Sequence, residues 1–189
     1  MLGWIIFGVV LVLIFALVSW FIGVYNKLVK ARNRVKNSWS QIDVQLKRRF
    51  DLIPNLAETV KGYAKHEAGI FEEFARARNV YSQASAKGDI AGMSEANTML
   101  SGALSRLIAV SEAYPELKAN TNFESMMEEL SKTEDKIAYA RQFYNDVVMS
   151  YNNLREVFPG SIVANMFAFK EAELFTIDEA SRENVKVQF

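Results

Sequence analysis

The sequence predicts an all-α fold: one N-terminal transmembrane helix that continues into an up-and-down bundle of four long helices and ends in a short C-terminal helical segment. Three observations predict it. The stretch from Trp4 to Tyr25 carries no charged residue. Beyond it, apolar residues recur in steps of three, four and seven, the spacing that keeps side chains on one helix face. Only three prolines and nine glycines interrupt the 189 residues, so breaks are few and helices run long. The expected organisation is an anchor with a short N-terminal tail at residues 1–25, a four-helix bundle at 26–158, and a short apolar helical segment with a C-terminal tail at 159–189.

The anchor rests on length. About 22 residues rising 1.5 Å each reach roughly 33 Å, enough to cross a hydrocarbon core of about 30 Å. Trp4 at one end and Trp20 with Tyr25 at the other place amphipathic rings where headgroups lie. A cleaved signal peptide fits less well, because the run is longer than an h-region, no basic segment precedes it and no small-x-small site follows. Lys27, Lys30, Arg32, Arg34 and Lys36 follow the span with no acidic residue before Asp43, which predicts a cytoplasmic C-terminal domain and an N-terminus outside. These cations can also face anionic headgroups of the bilayer. Ser19 and Gly23 form a small-xxx-small pair, the spacing that lets two spans approach.

The elements follow in order. Leu28, Val35, Trp39, Ile42, Leu46 and Ile53 make a stripe on a helix continuous with the span, interrupted by Arg32 and Arg49. Pro54 lacks a backbone donor and disfavours helix at Ile53, so a tight reversal is expected there, with Pro54 opening a second helix from about Asn55 to Ala86; a kink within one very long helix is the alternative. Leu56, Val60, Tyr63, Ile70, Phe74, Ala77 and Tyr81 line it, and Lys87-Gly88 ends it. A third helix, Ile90 to Tyr114, stops at Pro115. The polar stretch from Pro115 to Asn122 reads as a linker, with Asn122 as the cap of the fourth helix. That helix repeats Phe123, Leu130, Ile137, Tyr144, Tyr151 and Phe158 every seventh residue, with Met126, Ala140, Val147 and Leu154 between them. An aromatic stripe at this period is bundle core.

Composition and motifs exclude several chemistries. Lys and Arg balance Asp and Glu at 22 each, which argues against nucleic acid as a partner. With no cysteine, disulfides, thiolate metal ligands and a cysteine nucleophile are absent. His66-Glu67 begins an H-E-x-x-H pattern, but position 70 is Ile70. There is no phosphate-binding glycine loop and no serine elbow, and the carboxylates lack the Glu-x-x-His spacing of a di-metal bundle. No cofactor, metal site or catalytic residue is therefore expected.

Two features remain. Glu134 and Arg141 lie seven apart on the fourth helix, and Arg49 sits on the stripe of the first. The three are expected to form one polar layer inside the bundle, since charged groups within a core survive there by pairing. Ile162, Val163, Met166, Phe167 and Phe169 follow Pro159-Gly160 where a four-helix core is already filled, and are expected to form an assembly or docking surface against the bundle end, the membrane or another chain. The terminal Val187-Gln188-Phe189 offers a strand for a PDZ-like groove.

Several ordered motifs carry a resemblance. They are Tyr25-Asn26; the run from Trp39 through Ile42-Asp43 to Lys47-Arg48-Arg49; Asp51-Leu52-Ile53-Pro54-Asn55-Leu56; Val60-Lys61-Gly62-Tyr63 with His66-Glu67; Ala77-Arg78; Glu112-Ala113-Tyr114-Pro115-Glu116-Leu117-Lys118-Ala119-Asn120; Thr133-Glu134-Asp135-Lys136-Ile137-Ala138-Tyr139-Ala140-Arg141; and Tyr144-Asn145. Over about residues 1 to 170 the chain resembles the LemA family of bacterial membrane proteins, with Asp135 where the family commonly has Asn. The resemblance implies one span in the plasma membrane of a bacterium, a cytoplasmic bundle of long helices and no established enzymatic activity. It also implies genes often placed beside membrane metalloproteases of the heat-shock type, and relatives that take part in organelle membrane formation. The expected function is a non-enzymatic scaffold or interaction module that assembles as a homo-oligomer at the membrane. The alternatives are an accessory or substrate-presenting partner of a membrane metalloprotease, and an enzyme with a site around Arg49, Glu134, Arg141 and Tyr144 or Asn145.

Overall fold

The computed structural model describes residues 1–63 and 67–176. His66 and the tail with Val187-Gln188-Phe189 lie outside the described residues. Among the described residues six helices follow one another: α1 (Leu2–Lys61), α2 (Ala68–Lys87), α3 (Ile90–Ser111), α4 (Pro115–Lys118), α5 (Thr121–Glu156) and α6 (Gly160–Met166). The all-α architecture is as expected. Among the described residues one helix, α1, is long and apolar enough to cross a membrane, and none of its apolar window is buried against protein.

Pro54 does not reverse the chain. It lies inside α1, which runs on to Lys61. A proline within a helix costs about 3 kcal/mol through the missing hydrogen bond and the ring clash. Burial of Ile53, Leu56 and Val60 on either side of it, at roughly 1.5 to 3 kcal/mol each, outweighs that cost.

Two other boundaries follow local chemistry. Gly88 takes the left-handed conformation at φ 67°, and Asp89 N–H donates to Ala84 O at 2.9 Å, closing α2 in a Schellman turn. Asp89 then caps α3 by accepting from Gly92 N–H at 3.0 Å. The expected linker holds the single turn α4, and the cap of α5 is Asn120 rather than Asn122. Asn120 Oδ1 accepts from the backbone N–H of both Asn122 and Phe123 at 3.0 Å, satisfying two donors that the first turn leaves free.

The chain forms two compact units, one of residues 1–39 with 143–173 and one of residues 40–142 with the segment from Leu174. In the first, Leu28 and Val35 of α1, Tyr144, Val147, Val148 and Tyr151 of α5, and Val163, Ala164 and Phe169 are buried. Trp39 meets Tyr144 edge-on at 5.5 Å. Ala168 adopts φ 51°, and the chain then runs without helix to Glu173. In the second unit, Ile42, Leu46, Phe50, Ile53 and Leu56 pack in a core with residues of α2, α3 and the N-terminal part of α5. Phe50 stacks on Tyr81 at 4.2 Å with planes 9° apart.

Candidate functional site

The first unit carries the juxtamembrane residues. Lys27, Lys30, Arg32, Arg34 and Lys36 are exposed on α1. Arg32 places its guanidinium 5.1 Å from the centre of the Phe169 ring and Arg34 lies 6.0 Å from that of Phe143, within reach of a cation–π attraction. Lys27, Lys30 and Arg34 line one side of a groove of about 690 Å³ whose other wall includes Asp146, Leu154 and Val157. Trp4 and Trp20 are exposed. Tyr25 is half-buried, because Phe167 and Phe169 lean on it at 4.7 and 5.8 Å.

The segment after α5 divides in two. Val163 and Phe169, named above as docking residues, are buried with Ala164 and serve as core. Ile162, Met166 and Phe167 are exposed. Phe158 leaves the seven-residue stripe: α5 ends at Glu156, and the Phe158 ring is 74% exposed. Gly160 sits so close beneath Leu154 that an added Cβ would stand 2.0 Å from the Leu154 carbonyl oxygen.

Periodicity alone did not reveal the strap from Lys170 to Glu173. The Tyr144 hydroxyl donates to Glu173 O and the Tyr151 hydroxyl to Lys170 O, both at 2.7 Å. Asn152 exchanges two bonds with Ala172, donating to its carbonyl at 2.9 Å and accepting from its N–H at 3.0 Å. The available signal was tyrosine where phenylalanine would fill the core as well, since a buried phenol oxygen needs a partner.

Burial, and then the Glu173 carboxylate, push the Tyr144 phenol up to about 12. In the second unit burial and Asp43 push Tyr81 up to about 12, against an opposing hydrogen bond with Ser85. Both folded values lie above the unfolded value of about 10. Their contribution to stability is complete below pH about 10 and is lost as pH rises toward 12, on the order of 2 kcal/mol for each. Melting temperature should therefore fall across that window, and more steeply than in the Tyr81→Phe/Tyr144→Phe variant.

The second unit contains a cleft of about 570 Å³ with Leu104, Ile108, Phe123, Met127 and Leu130 in its walls and Arg49, Ser101 and Glu134 at its polar end. Arg49 is 3% exposed. Its guanidinium pairs with Glu134, donates to Asn97 Oδ1 and reaches Ser101 Oγ at 3.1 Å. Burial pulls Arg49 below its usual value, and the Glu134 carboxylate opposes that in part. Two of the three expected members of the polar layer thus meet. Arg141 is half-buried and forms no ion pair among the described residues. Asn97 and Ser101 complete the layer from α3, a contribution no spacing on α1 or α5 could show. Among the described residues no group of three or more His, Cys, Asp and Glu is placed to hold a metal ion.

Known proteins resemble this chain over most of its length. It is 28% identical over 174 residues to the magnetosome protein MamQ 2 of Paramagnetospirillum magneticum, covering 80% of this chain and 64% of that protein. With the magnetosome protein MamQ of Magnetospirillum gryphiswaldense it shares 26% over 174 residues, at the same coverage. With protein LemA of Metamycoplasma hominis it shares 25% over 165 residues, covering 87% of this chain and 74% of that protein. The chain therefore spans 64% of the length of the magnetosome proteins that it matches. The LemA family model matches residues 38–189, from the last turn of the first unit's α1 segment through the whole helical domain. With an apolar helix ahead of that match, this membrane-associated helical protein belongs to the LemA family.

Proposed function

We propose that the chain is a non-enzymatic interaction module that is anchored by one span, assembles with itself at the plasma membrane of a bacterium, and holds its helical domain in the cytoplasm with the N-terminus outside. The observation that carries this reading is the continuity of α1 in the first unit. The apolar run and the stripe Leu28 and Val35, buried in one core with residues of α5, belong to one unbroken helix, so the first unit's juxtamembrane core is fixed to its anchor instead of tethered by a loop. The orientation is supported by the five cations just after the span. Self-assembly is supported by the pair Ser19 and Gly23, both exposed, with nothing within 4 Å of a Cβ added at Gly23.

The polar residues favour structure over catalysis. Arg49 is occupied by Asn97, Ser101 and Glu134, and Tyr81 and Tyr144 are held far from neutral pH, where a general acid or base works poorly. The open cleft beside Arg49 favours a second reading, an accessory partner of a membrane metalloprotease that seats a segment of that partner. The size of the full-length chain extracted in mild detergent separates the two. The scaffold reading expects one uniform particle of several subunits. A monodisperse monomer contradicts self-assembly and leaves the accessory role.

A further inference from the structure

The corner between α5 and α6 is set at a defined depth. The Phe167 ring lies 6.0 Å from that of Phe21 and 4.7 Å from that of Tyr25. Phe21 is one helical turn, about 6 Å, inside the end of the apolar run at Tyr25. Whatever depth the last turn of the span takes, Phe167 shares it.

The outer surface of this corner is apolar. Val157, Phe158, Ile162, Met166 and Phe167 are all exposed, while Val163, Ala164 and Phe169 on the inner side are buried. No charged residue occurs from Val157 to Phe169. A short helix with apolar side chains both inward and outward has only protein or lipid as a stable surrounding.

The charges beside it fit a bilayer surface. Lys27 and Lys30 form no ion pair or hydrogen bond among the described residues, and with Arg34 they line the groove that Val157 also borders. Asp146 is the one carboxylate in that lining, so three cations outweigh it. Their arrangement is complementary to the phosphates of phospholipid headgroups.

We propose that the corner from Val157 to Phe167 is a second membrane-contacting element, lying in the interfacial layer of the leaflet where the span ends. Its apolar side chains enter the boundary between headgroups and acyl chains, and Lys27, Lys30 and Arg34 face the phosphates. A second copy of the chain is the weaker occupant, because a copy that meets the span at Ser19 and Gly23 lies on the helix face opposite Phe21, about 180° away around the axis. The proposal rests on the span crossing the bilayer and goes beyond it: the protein then touches the membrane at two points, which fixes its tilt and rotation.

The chain has no cysteine, so single labels can be placed cleanly. Full-length variants Ile162→Cys, Met166→Cys, Leu13→Cys and Tyr139→Cys are labelled with a polarity-sensitive fluorophore and reconstituted in phosphatidylcholine vesicles. The read-outs are emission wavelength and quenching by lipids spin-labelled near the top of the acyl chain. The labels at Ile162 and Met166 should emit at shorter wavelength than the label at exposed Tyr139, and be quenched severalfold more. If they behave like Tyr139 while Leu13 is quenched, the second contact is overturned and the anchor stands. If Leu13 is also unquenched, both by these lipids and by lipids spin-labelled near the end of the acyl chain, the anchor fails and the proposal with it. Labels at Ile162 and Met166 that are shielded yet unquenched by lipid, with disulfide cross-linking between copies of the unlabelled Met166→Cys variant, assign the corner to a second copy and overturn it as well.

Discussion

Replacing Glu134 by alanine should destabilise the protein by about 2 to 3 kcal/mol, more than replacing Arg49 by methionine, which should cost about 1 to 2 kcal/mol. The asymmetry comes from burial. Arg49 is 3% exposed, whereas the Glu134 side chain is 40% exposed. Without Glu134 the guanidinium stays buried with only Asn97 and Ser101 as acceptors, and a buried charge that loses its counter-ion is expensive. The usual figure of about 3 to 5 kcal/mol is reduced because the cleft admits water beside Glu134. Without Arg49, the carboxylate is solvated and the main loss is the donor to Asn97. The double variant should then resemble Arg49→Met alone. Thermal melting of the full-length protein in detergent reads this order, and a Glu134→Ala variant that melts with the unsubstituted protein would show that water already neutralises the layer.

A larger effect is expected at Gly160. An added Cβ would stand 2.0 Å from Leu154 O and 3.2 Å from Leu154 C, main-chain atoms that cannot rotate away as a side chain would. Gly160→Ala must displace α6, and with it the buried Val163, Ala164 and Phe169. Overpacking and lost burial together should cost about 3 kcal/mol or more. Gly102 provides the contrast. It is exposed in the middle of α3 with nothing within 4 Å of an added Cβ, so Gly102→Ala should raise stability by about 0.4 to 1 kcal/mol by restricting the unfolded chain and favouring helix. Equal melting of the two variants would mean that α6 is free to shift.

The fold was legible where a pattern repeats over many turns. The charge-free run, the buried stripe of Leu28, Ile42 and Leu46, and the five-member stripe from Phe123 to Tyr151 all appear where periodicity puts them. Local rules were weaker at single residues. Pro54 reads as a break because the cost of proline is visible in sequence and the burial around it is not. Phe158 continues the seven-residue spacing in sequence, but the helix that gives the spacing meaning stops at Glu156. Arg141 follows Glu134 by seven, which falls about 20° short of two turns and carries it about 10 Å along the axis, and the residue stays half-buried away from the Arg49 pair. Asn97, Ser101 and the strap bonds of Tyr144, Tyr151 and Asn152 join residues 19 to 52 positions apart, where periodicity on one helix carries no information. The split of the docking segment was equally hidden. Val163 and Phe169 differ from Ile162 and Phe167 only in the direction they face.

The span and the helix supporting the juxtamembrane core act, on the function proposed above, as one rigid element. Amide hydrogen exchange of the full-length protein in lipid nanodiscs, resolved over Asn26 to Lys36, tests it most directly, because exchange reports local opening of helical hydrogen bonds. Slow exchange is expected through that stretch, comparable with the segment from Tyr144 to Tyr151 in the same core. Rapid exchange there, between a protected span and a protected bundle, would show a flexible tether and contradict the claim.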